Sequence, residues 1–223
     1  MKKLSDRLEI LLSYIEKGDV IADIGSDHCL IPIKAFAQNK IDYAFAVENK
    51  IGPYTRMKKA ILATPYSIEP SLSDGIEKIP NKINTLLLAG MGGPLICKIL
   101  SKDKVKLNNI RKIIIDAHTQ KELIISFLEE IGYHLEKSDF LIEKGIAYET
   151  GLWIKGETNP RYTNLEKKYG PLLIKEKNKK YFSYLMKEIK EKEAILSLIP
   201  PSDPKRNKIS EEIKEMRGII DEN

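Results

Sequence analysis

Asp23, Glu48 and Asp74 follow one another at intervals of 25 and 26 residues, each at or just beyond an apolar run of strand character. Carboxylates so placed accept hydrogen bonds: from the hydroxyls of a ribose at the second strand end, and from an exocyclic amine at the third. Taken singly, Asp23 or Asp27 reads as a helix cap and Asp74-Gly75 as a turn. As an ordered set, the three acids match a bound adenosine that carries no phosphate. The segment Asp23-Ile24-Gly25-Ser26-Asp27-His28 holds two acids and a single glycine. Gly25 permits a tight turn, and Ser26 and Asp27 are placed to cap the next helix. The dinucleotide pattern G-x-G-x-x-G and the phosphate loop G-x-x-x-x-G-K-[ST] are both absent. A nicotinamide dehydrogenase is therefore disfavoured. An acidic mouth suits a cofactor with hydroxyls and a positive charge, and S-adenosylmethionine has that form.

A second candidate region is Ala89-Gly90-Met91-Gly92-Gly93-Pro94, at the end of a fourth apolar run. A methyltransferase substrate would meet the methyl group there. Three glycines in four residues expose backbone groups and leave room for a planar base. The Asn/Asp-Pro-Pro-aromatic sequence of exocyclic-amine methyltransferases is absent, which argues against N6-adenine or N4-cytosine chemistry.

These residues need a scaffold that brings strand ends together. Short apolar runs at 20–24, 43–47, 66–68, 82–89 and 113–115 alternate with helical patterns at 29–38, 52–63, about 94–100 and 120–130. Continuous apolar strands between helices imply a parallel sheet covered on both faces. Two final strand patterns, 133–142 and 146–155, flank Lys144-Gly145, a hairpin signal that adds an antiparallel edge. The expectation is an α/β, Rossmann-like, doubly wound domain with seven strands over residues 1–158.

Composition shifts at 156–160, and residues 159–223 read as a second, α-helical domain. Phe182, Leu185, Ile189, Leu196 and Ile199 form one heptad-like seam, and Ile209, Ile213, Met216 and Ile220 another. Pro200-Pro201-Ser202-Asp203-Pro204 forces a stop between them, so an antiparallel coiled-coil hairpin is the simplest product, after a short helix near 163–169. The seams pair either within the chain or between two chains, and a monomer is favoured.

The chain of 223 residues is long enough for a real core, and its net charge of +5 is unevenly spread. Residues 1–158 hold 22 basic against 21 acidic side chains, while residues 159–223 hold 15 against 11. Arg161, Lys167, Lys168, Lys175, Lys177, Lys179 and Lys180 lie in the densest basic stretch, the footprint expected for a phosphate backbone. A solvated lysine-rich helix face has the same composition. Cys29 and Cys97 are the only cysteines, too few for a metal quartet or a disulfide scaffold. The N-terminus lacks the apolar core of a secretory signal, and no apolar run is long enough to span a bilayer. The reading is a cytoplasmic protein with no membrane or metal partner.

Together, Leu4-Ser5-Asp6-Arg7-Leu8, the segment 22–28, Glu48-Asn49 with Gly52-Pro53, Ser73-Asp74-Gly75, the segment 89–95 and Tyr169-Gly170-Pro171-Leu172-Leu173 resemble the bacterial TrmK-type tRNA (adenine22-N1)-methyltransferases. The resemblance implies a class I methyltransferase fold with a C-terminal coiled-coil domain that helps to hold tRNA. It implies that Arg7, Asp23, Gly25, Ser26, Asp27, His28, Glu48, Asn49, Asp74, Gly75, Ala89 and Gly90 contact S-adenosylmethionine. Asp27, His28 and the backbone of Gly90, Met91, Gly92 and Gly93 would orient the adenine. Its N1 has a free lone pair, so direct attack on the sulfonium methyl needs no general base, and catalysis rests on proximity and orientation. Two positions depart from the family pattern. Cys29-Leu30-Ile31-Pro32 replaces Ala-Tyr-Leu-Pro, and Asp116-Ala117-His118 replaces Gln-Pro-Asn. The competing readings are a class I methyltransferase for another RNA base or a small molecule, and a non-catalytic RNA-binding adaptor.

Overall fold

The computed structural model describes residues 3–156 and 161–221. The expected boundary at 158/159 lies outside the described residues. The chain divides into two compact units after residue 161.

The first unit opens with α1 (Asp6–Ser13), β1 (Ile21–Ile24), α2 (Leu30–Ala37), β2 (Ala44–Glu48), α3 (Ile51–Leu62) and β3 (Ile68–Leu72). It continues with β4 (Thr85–Met91), α4 (Gly93–Ser101), β5 (Lys112–Ala117), α5 (Lys121–Glu130), β6 (Tyr133–Glu143) and β7 (Ile146–Lys155). Seven strands form one sheet in the order β3-β2-β1-β4-β5-β7-β6. β1 to β5 run parallel, and β7 is antiparallel to both β5 and β6. Lys144 and Gly145 join β6 to β7 with φ of 51° and 79°, the paired positive values that a tight two-residue hairpin requires.

The centre of the sheet follows from the apolar runs. Leu86, Leu87, Leu88, Ile113 and Ile114 are fully buried, because helices cover both faces of their strands. Burial of each such side chain contributes roughly 1.5–3 kcal/mol. The strand order reverses between β1 and β4, where Ile24 pairs with Leu88. That reversal opens a crevice beyond the carboxyl ends of the two strands.

Three local expectations change. The strand expected at 66–68 lies at Ile68–Leu72 and includes Pro70. β3 is an edge strand, where a missing N–H need not break the ladder, and pairing with β2 outweighs local propensity. β4 does not stop at Ala89 but runs through Gly90 to Met91, with a shift in its register against β5. Ser26 and Asp27 do not cap α2. Cys29 occupies that place in the left-handed region (φ 52°), without a side-chain cap, while Ser26 and Asp27 bind other partners described below.

The second unit contains α6 (Asn164–Tyr169), α7 (Pro171–Lys175), α8 (Lys179–Leu198) and α9 (Lys205–Asp221). Thr163 and Glu166 close a reciprocal capping box on α6. α8 and α9 pack together, burying Tyr181, Leu185 and Ile189 on one and Ile213, Met216 and Ile219 on the other. Ile219 rather than Ile220 completes the second seam, with Ile220 partly buried. Lys192 binds Glu212 at 2.7 Å, Arg217 pairs with Glu193, and the Arg206 guanidinium donates to the Leu196 and Ile199 carbonyls at 2.6 Å each. The apolar seams therefore face each other within this chain. Among the described residues, no helix is long and apolar enough to cross a membrane.

Candidate active site

The crevice holds two adjoining cavities that share Gly25, Asp27, Ala89 and Gly90. The larger, about 370 Å³, reaches the ends of β2 and β3 and is lined by Glu48, Asn49, Asp74 and Gly75 among others. The smaller, about 160 Å³, is lined by Arg7, Asp23, Ser26 and His28. Parallel strands in register place the acids here. Asp23 pairs with Ala46 and Leu87, and Glu48 with Leu72, so each carboxylate emerges at the same edge of the sheet.

Glu48 is buried and accepts from the Asn49 N–H at 3.1 Å. The Asn49 amide donates to Asp74 at 3.2 Å. Lys102, on the far side, donates to the Asp74 carbonyl at 2.5 Å and pairs with its carboxylate. The lysine, then the asparagine, hold the Asp74 carboxyl below its ordinary range. This lobe presents carboxyl acceptors suited to hydroxyls and an amine.

The smaller lobe has a different electrostatic character. Burial pushes the Asp23 carboxyl up to about 7, the Ser26 hydroxyl that donates to it opposes this, and the charge of Glu48 reinforces it. Asp23 has no cationic side chain within ion-pair distance among the described residues. Asp27, by contrast, accepts from Arg56 Nε at 2.8 Å and Nη2 at 3.0 Å. That guanidinium holds Asp27 below the usual carboxylate range. His28 Nε2 lies 3.6 Å from Asp27. Arg7 pairs with the fully buried Asp116 and lies over the Tyr148 ring at 5.0 Å. A ligand with hydroxyls at one end and positive charge near Asp23 fits this pair of lobes.

The glycine loop divides in two. Gly90, with φ of 75°, is exposed at the junction of the lobes, and Met91 extends across Gly25, so that a Cβ on Gly25 would strike its methyl group. Gly92 and Gly93 serve packing. A Cβ on Gly92 would meet Thr119 Oγ1 at 2.9 Å, and one on Gly93 would collide with the Gln120 carbonyl. The Gly93 N–H donates to the Thr119 carbonyl at 2.9 Å, so it is not available to a substrate. Neither residue lines either cavity. Of the four loop residues expected to orient a base, Gly90 and Met91 line the larger cavity.

Arg56, Lys102, Asp116 and Tyr148 are absent from the residues expected at the site. No local pattern marks them, since their partners lie 28 or more residues away. His118 follows β5, with its N–H on the Met91 carbonyl at 3.0 Å and its ring edge-on to Tyr148 at 5.5 Å. In the second unit, Lys175, Lys177, Lys179 and Lys180 are exposed around the corner between α7 and α8. Lys168 instead binds Glu215 at 2.5 Å. Arg161 is exposed and Lys167 partly buried.

Known proteins match this architecture along nearly its whole length. A profile of the family "TrmK: tRNA (adenine(22)-N(1))-methyltransferase" matches residues 21–220. The tRNA (adenine(22)-N(1))-methyltransferase of Bacillus subtilis strain 168 is 31% identical over 232 residues, covering 98% of each chain. A Streptococcus pneumoniae protein, a candidate tRNA (m1A22) methyltransferase solved with S-adenosyl-L-methionine, superposes with a TM-score of 0.87. It is 26% identical over 98% of this chain and 100% of that one. M. capricolum TrmK, solved with S-adenosyl-homocysteine, gives a TM-score of 0.84 at 27% identity, covering 99% of both chains. The chain belongs to the TrmK family and is an enzyme that methylates N1 of adenine 22 in tRNA.

Proposed function

We propose that the two-lobed crevice binds S-adenosylmethionine, with its adenosine in the larger lobe and its amino-acid end in the smaller, and that the C-terminal helices hold tRNA. The observation that carries this reading is Asp23: a buried carboxylate with no cationic side-chain partner among the described residues, lining a cavity that adjoins the Glu48 and Asp74 lobe. Burying such a group without a counter-charge is costly, and a positively charged ligand relieves that cost. When bound, S-adenosylmethionine supplies a methyl group made electrophilic by the positive charge on sulfur.

The chain's own residues bind and orient. Glu48 accepts from ribose hydroxyls, and Asp74 from the adenine amine of the cofactor. Asp23 faces positive charge, and Arg7, held by Asp116 and Tyr148, offers a cation to a carboxylate. Ser26, Asn49, Gly75 and Ala89 shape the walls. Asp27 and Gly90 line both lobes, His28 the smaller and Met91 the larger, and together they orient the target base. Adenine N1 needs no base catalyst, so alignment supplies most of the rate.

A base at position 22 lies in the folded D-arm and must be exposed at a cost of a few kcal/mol. Backbone contacts from Arg161, Lys167, Lys168, Lys175, Lys177, Lys179 and Lys180 offset that cost and set the register. The corner Lys175–Lys180 carries most of this role, since Lys168 is already paired. We read α8 and α9 as an intramolecular coiled-coil hairpin, which supports a monomeric enzyme working on tRNA in the cytoplasm.

The test is methyl transfer from labelled S-adenosylmethionine to unmodified tRNA carrying adenine or guanine at position 22, with the product located by mass spectrometry. N1-methyladenosine at that position, and none with guanine, is the expected result. Replacing Lys175, Lys177, Lys179 and Lys180 by Gln should weaken tRNA binding and flatten its salt dependence by about one unit of slope per lost phosphate contact. Cofactor affinity should not change. Equal loss of both would overturn the division of labour.

A further inference from the structure

Arg56 lies on the exposed side of α3, and its guanidinium reaches the loop after β1. It grips Asp27 through two parallel hydrogen bonds of 2.8 and 3.0 Å, one to each carboxylate oxygen. Asp27 is the one acid that lines both cavities, and its side chain is 40% exposed. A carboxylate has about four lone-pair positions, and the Arg56 fork occupies one on each oxygen. His28 Nε2 stands 3.6 Å from one of those oxygens, and the carboxylate still lines both cavities with 40% of its side chain exposed, so acceptor positions remain for a ligand.

The chemistry of the target base gives that arrangement a use. Adenine presents a lone pair at N1 beside an N6 amine that donates, whereas guanine presents an N–H at N1 beside a carbonyl oxygen. An ionised carboxylate accepts from the amine and repels the carbonyl, so it discriminates in both directions. Methylation forms one N–C bond, breaks one S–C bond and moves no proton. Positive charge passes to the base, and its N6 hydrogen bond to a carboxylate strengthens as it does so.

We propose that Arg56 is a positioning residue that fixes the Asp27 carboxylate so that it accepts a hydrogen bond from the N6 amine of the target adenine. An exposed ion pair by itself contributes little to stability, and the bidentate geometry acts here through orientation. The inference rests on the methyltransferase reading of this crevice. It adds a selectivity role to a residue that touches neither cofactor nor reacting atom.

The experiment compares tRNA bearing adenine at position 22 with tRNA bearing purine, which lacks the amine, at saturating S-adenosylmethionine. Wild type should favour adenine by about tenfold or more in kcat/KM, the value of one hydrogen bond to a charged group. R56Q should lower kcat on the adenine substrate and leave the purine substrate nearly unchanged, so that the preference collapses. R56K, which keeps the charge without the fork, should restore only part of it. D27N, at a residue that lines both cavities, should lose the adenine preference whatever its effect on overall rate, and the double variant should lose no further preference. Cofactor affinity of R56Q, measured by calorimetry, should match wild type. A fall of equal size on both substrates, or weakened cofactor binding, would overturn the assignment. D27N and R56K keep the test decisive should R56Q fold poorly. Absence of transfer by wild type would instead defeat the methyltransferase reading of the crevice itself.

Discussion

Asp19, just before β1, and Asp23, near its carboxyl end, stand four residues apart, both buried, and the chain treats them in opposite ways. Asp19 is held by Lys112 Nζ at 2.9 Å, Arg111 Nη2 at 2.7 Å, the Thr85 hydroxyl at 3.1 Å and the Glu16 N–H at 2.8 Å. Lys112 also binds Glu16 at 2.9 Å and the Tyr14 carbonyl at 3.2 Å. Asp19, Glu16, Arg111 and Lys112 are thus partnered within the chain, and the cluster ties β5 and the segment after α1 to the entrance of β1. Among the described residues, Asp23 has only the Ser26 hydroxyl, with the like charge of Glu48 nearby. The difference teaches which end of the sheet is built for the fold and which for a ligand. A buried acid with a complete set of partners is structural, and one left without a counter-charge beside a cavity is poised to receive one.

The contrast breaks most sharply at Asp19. Asp19→Ala leaves Lys112 buried without its main counter-charge and should cost about 3–5 kcal/mol in urea unfolding. Cofactor affinity of the folded fraction should hold, and a loss there would erase the distinction between the two ends. Asp23→Asn should do the reverse. Its affinity for S-adenosylmethionine should fall by the worth of a charged hydrogen bond, about 1.5–3 kcal/mol, without loss of unfolding stability near neutral pH.

A pH series sharpens the same point. The folded Asp23 value, about 7, lies above the ordinary 3.8. Its contribution to stability is therefore complete below about pH 3.8 and is lost as pH rises through about 7. Binding of a cationic ligand runs the other way, because it favours the ionised acid. Affinity should climb by up to about tenfold per unit as pH approaches 7, then level off. The rise should be absent in Asp23→Asn, and a flat wild-type profile in calorimetry would contradict the role given to Asp23. The smallest effect is expected for Ser26→Ala. It removes the one hydrogen bond that favours the ionised form, a change of about 0.5–1.5 kcal/mol, and should move the midpoint of that profile upward.

Much of the scaffold was legible because local pattern and global fold agree. Ile113-Ile114-Ile115 and Leu86-Leu87-Leu88 could only be buried strands, and Lys144-Gly145 marked the hairpin. Glu48 and Asp74 were visible as acids after apolar runs, since strand order in a doubly wound sheet delivers those ends to one edge. β3 was expected too early, at 66–68, because Glu69 and Pro70 carry no strand signal, and pairing with β2 supplied what propensity lacked. The glycine loop misled in part. Three glycines suggested open space, and two of them make room for the chain itself, Gly92 for the Thr119 side chain and Gly93 for the backbone of Thr119 and Gln120.

What the amino-acid order determined by itself is the periodicity: which runs are strands, where they end, and which residue types stand at those ends. That information is local, so it survives without coordinates. Partnership was decided only by the tertiary structure. Arg7 meets Asp116 across 109 positions, Arg56 meets Asp27 across 29, and Lys102 meets Asp74 across 28. Each pair depends on strand register and helix direction, which set distances to a fraction of an ångström. Composition cannot encode them. The same holds for Asp19 and Asp23, identical in type and alike in burial, whose separate roles follow from which charges the fold carries to each end of one strand.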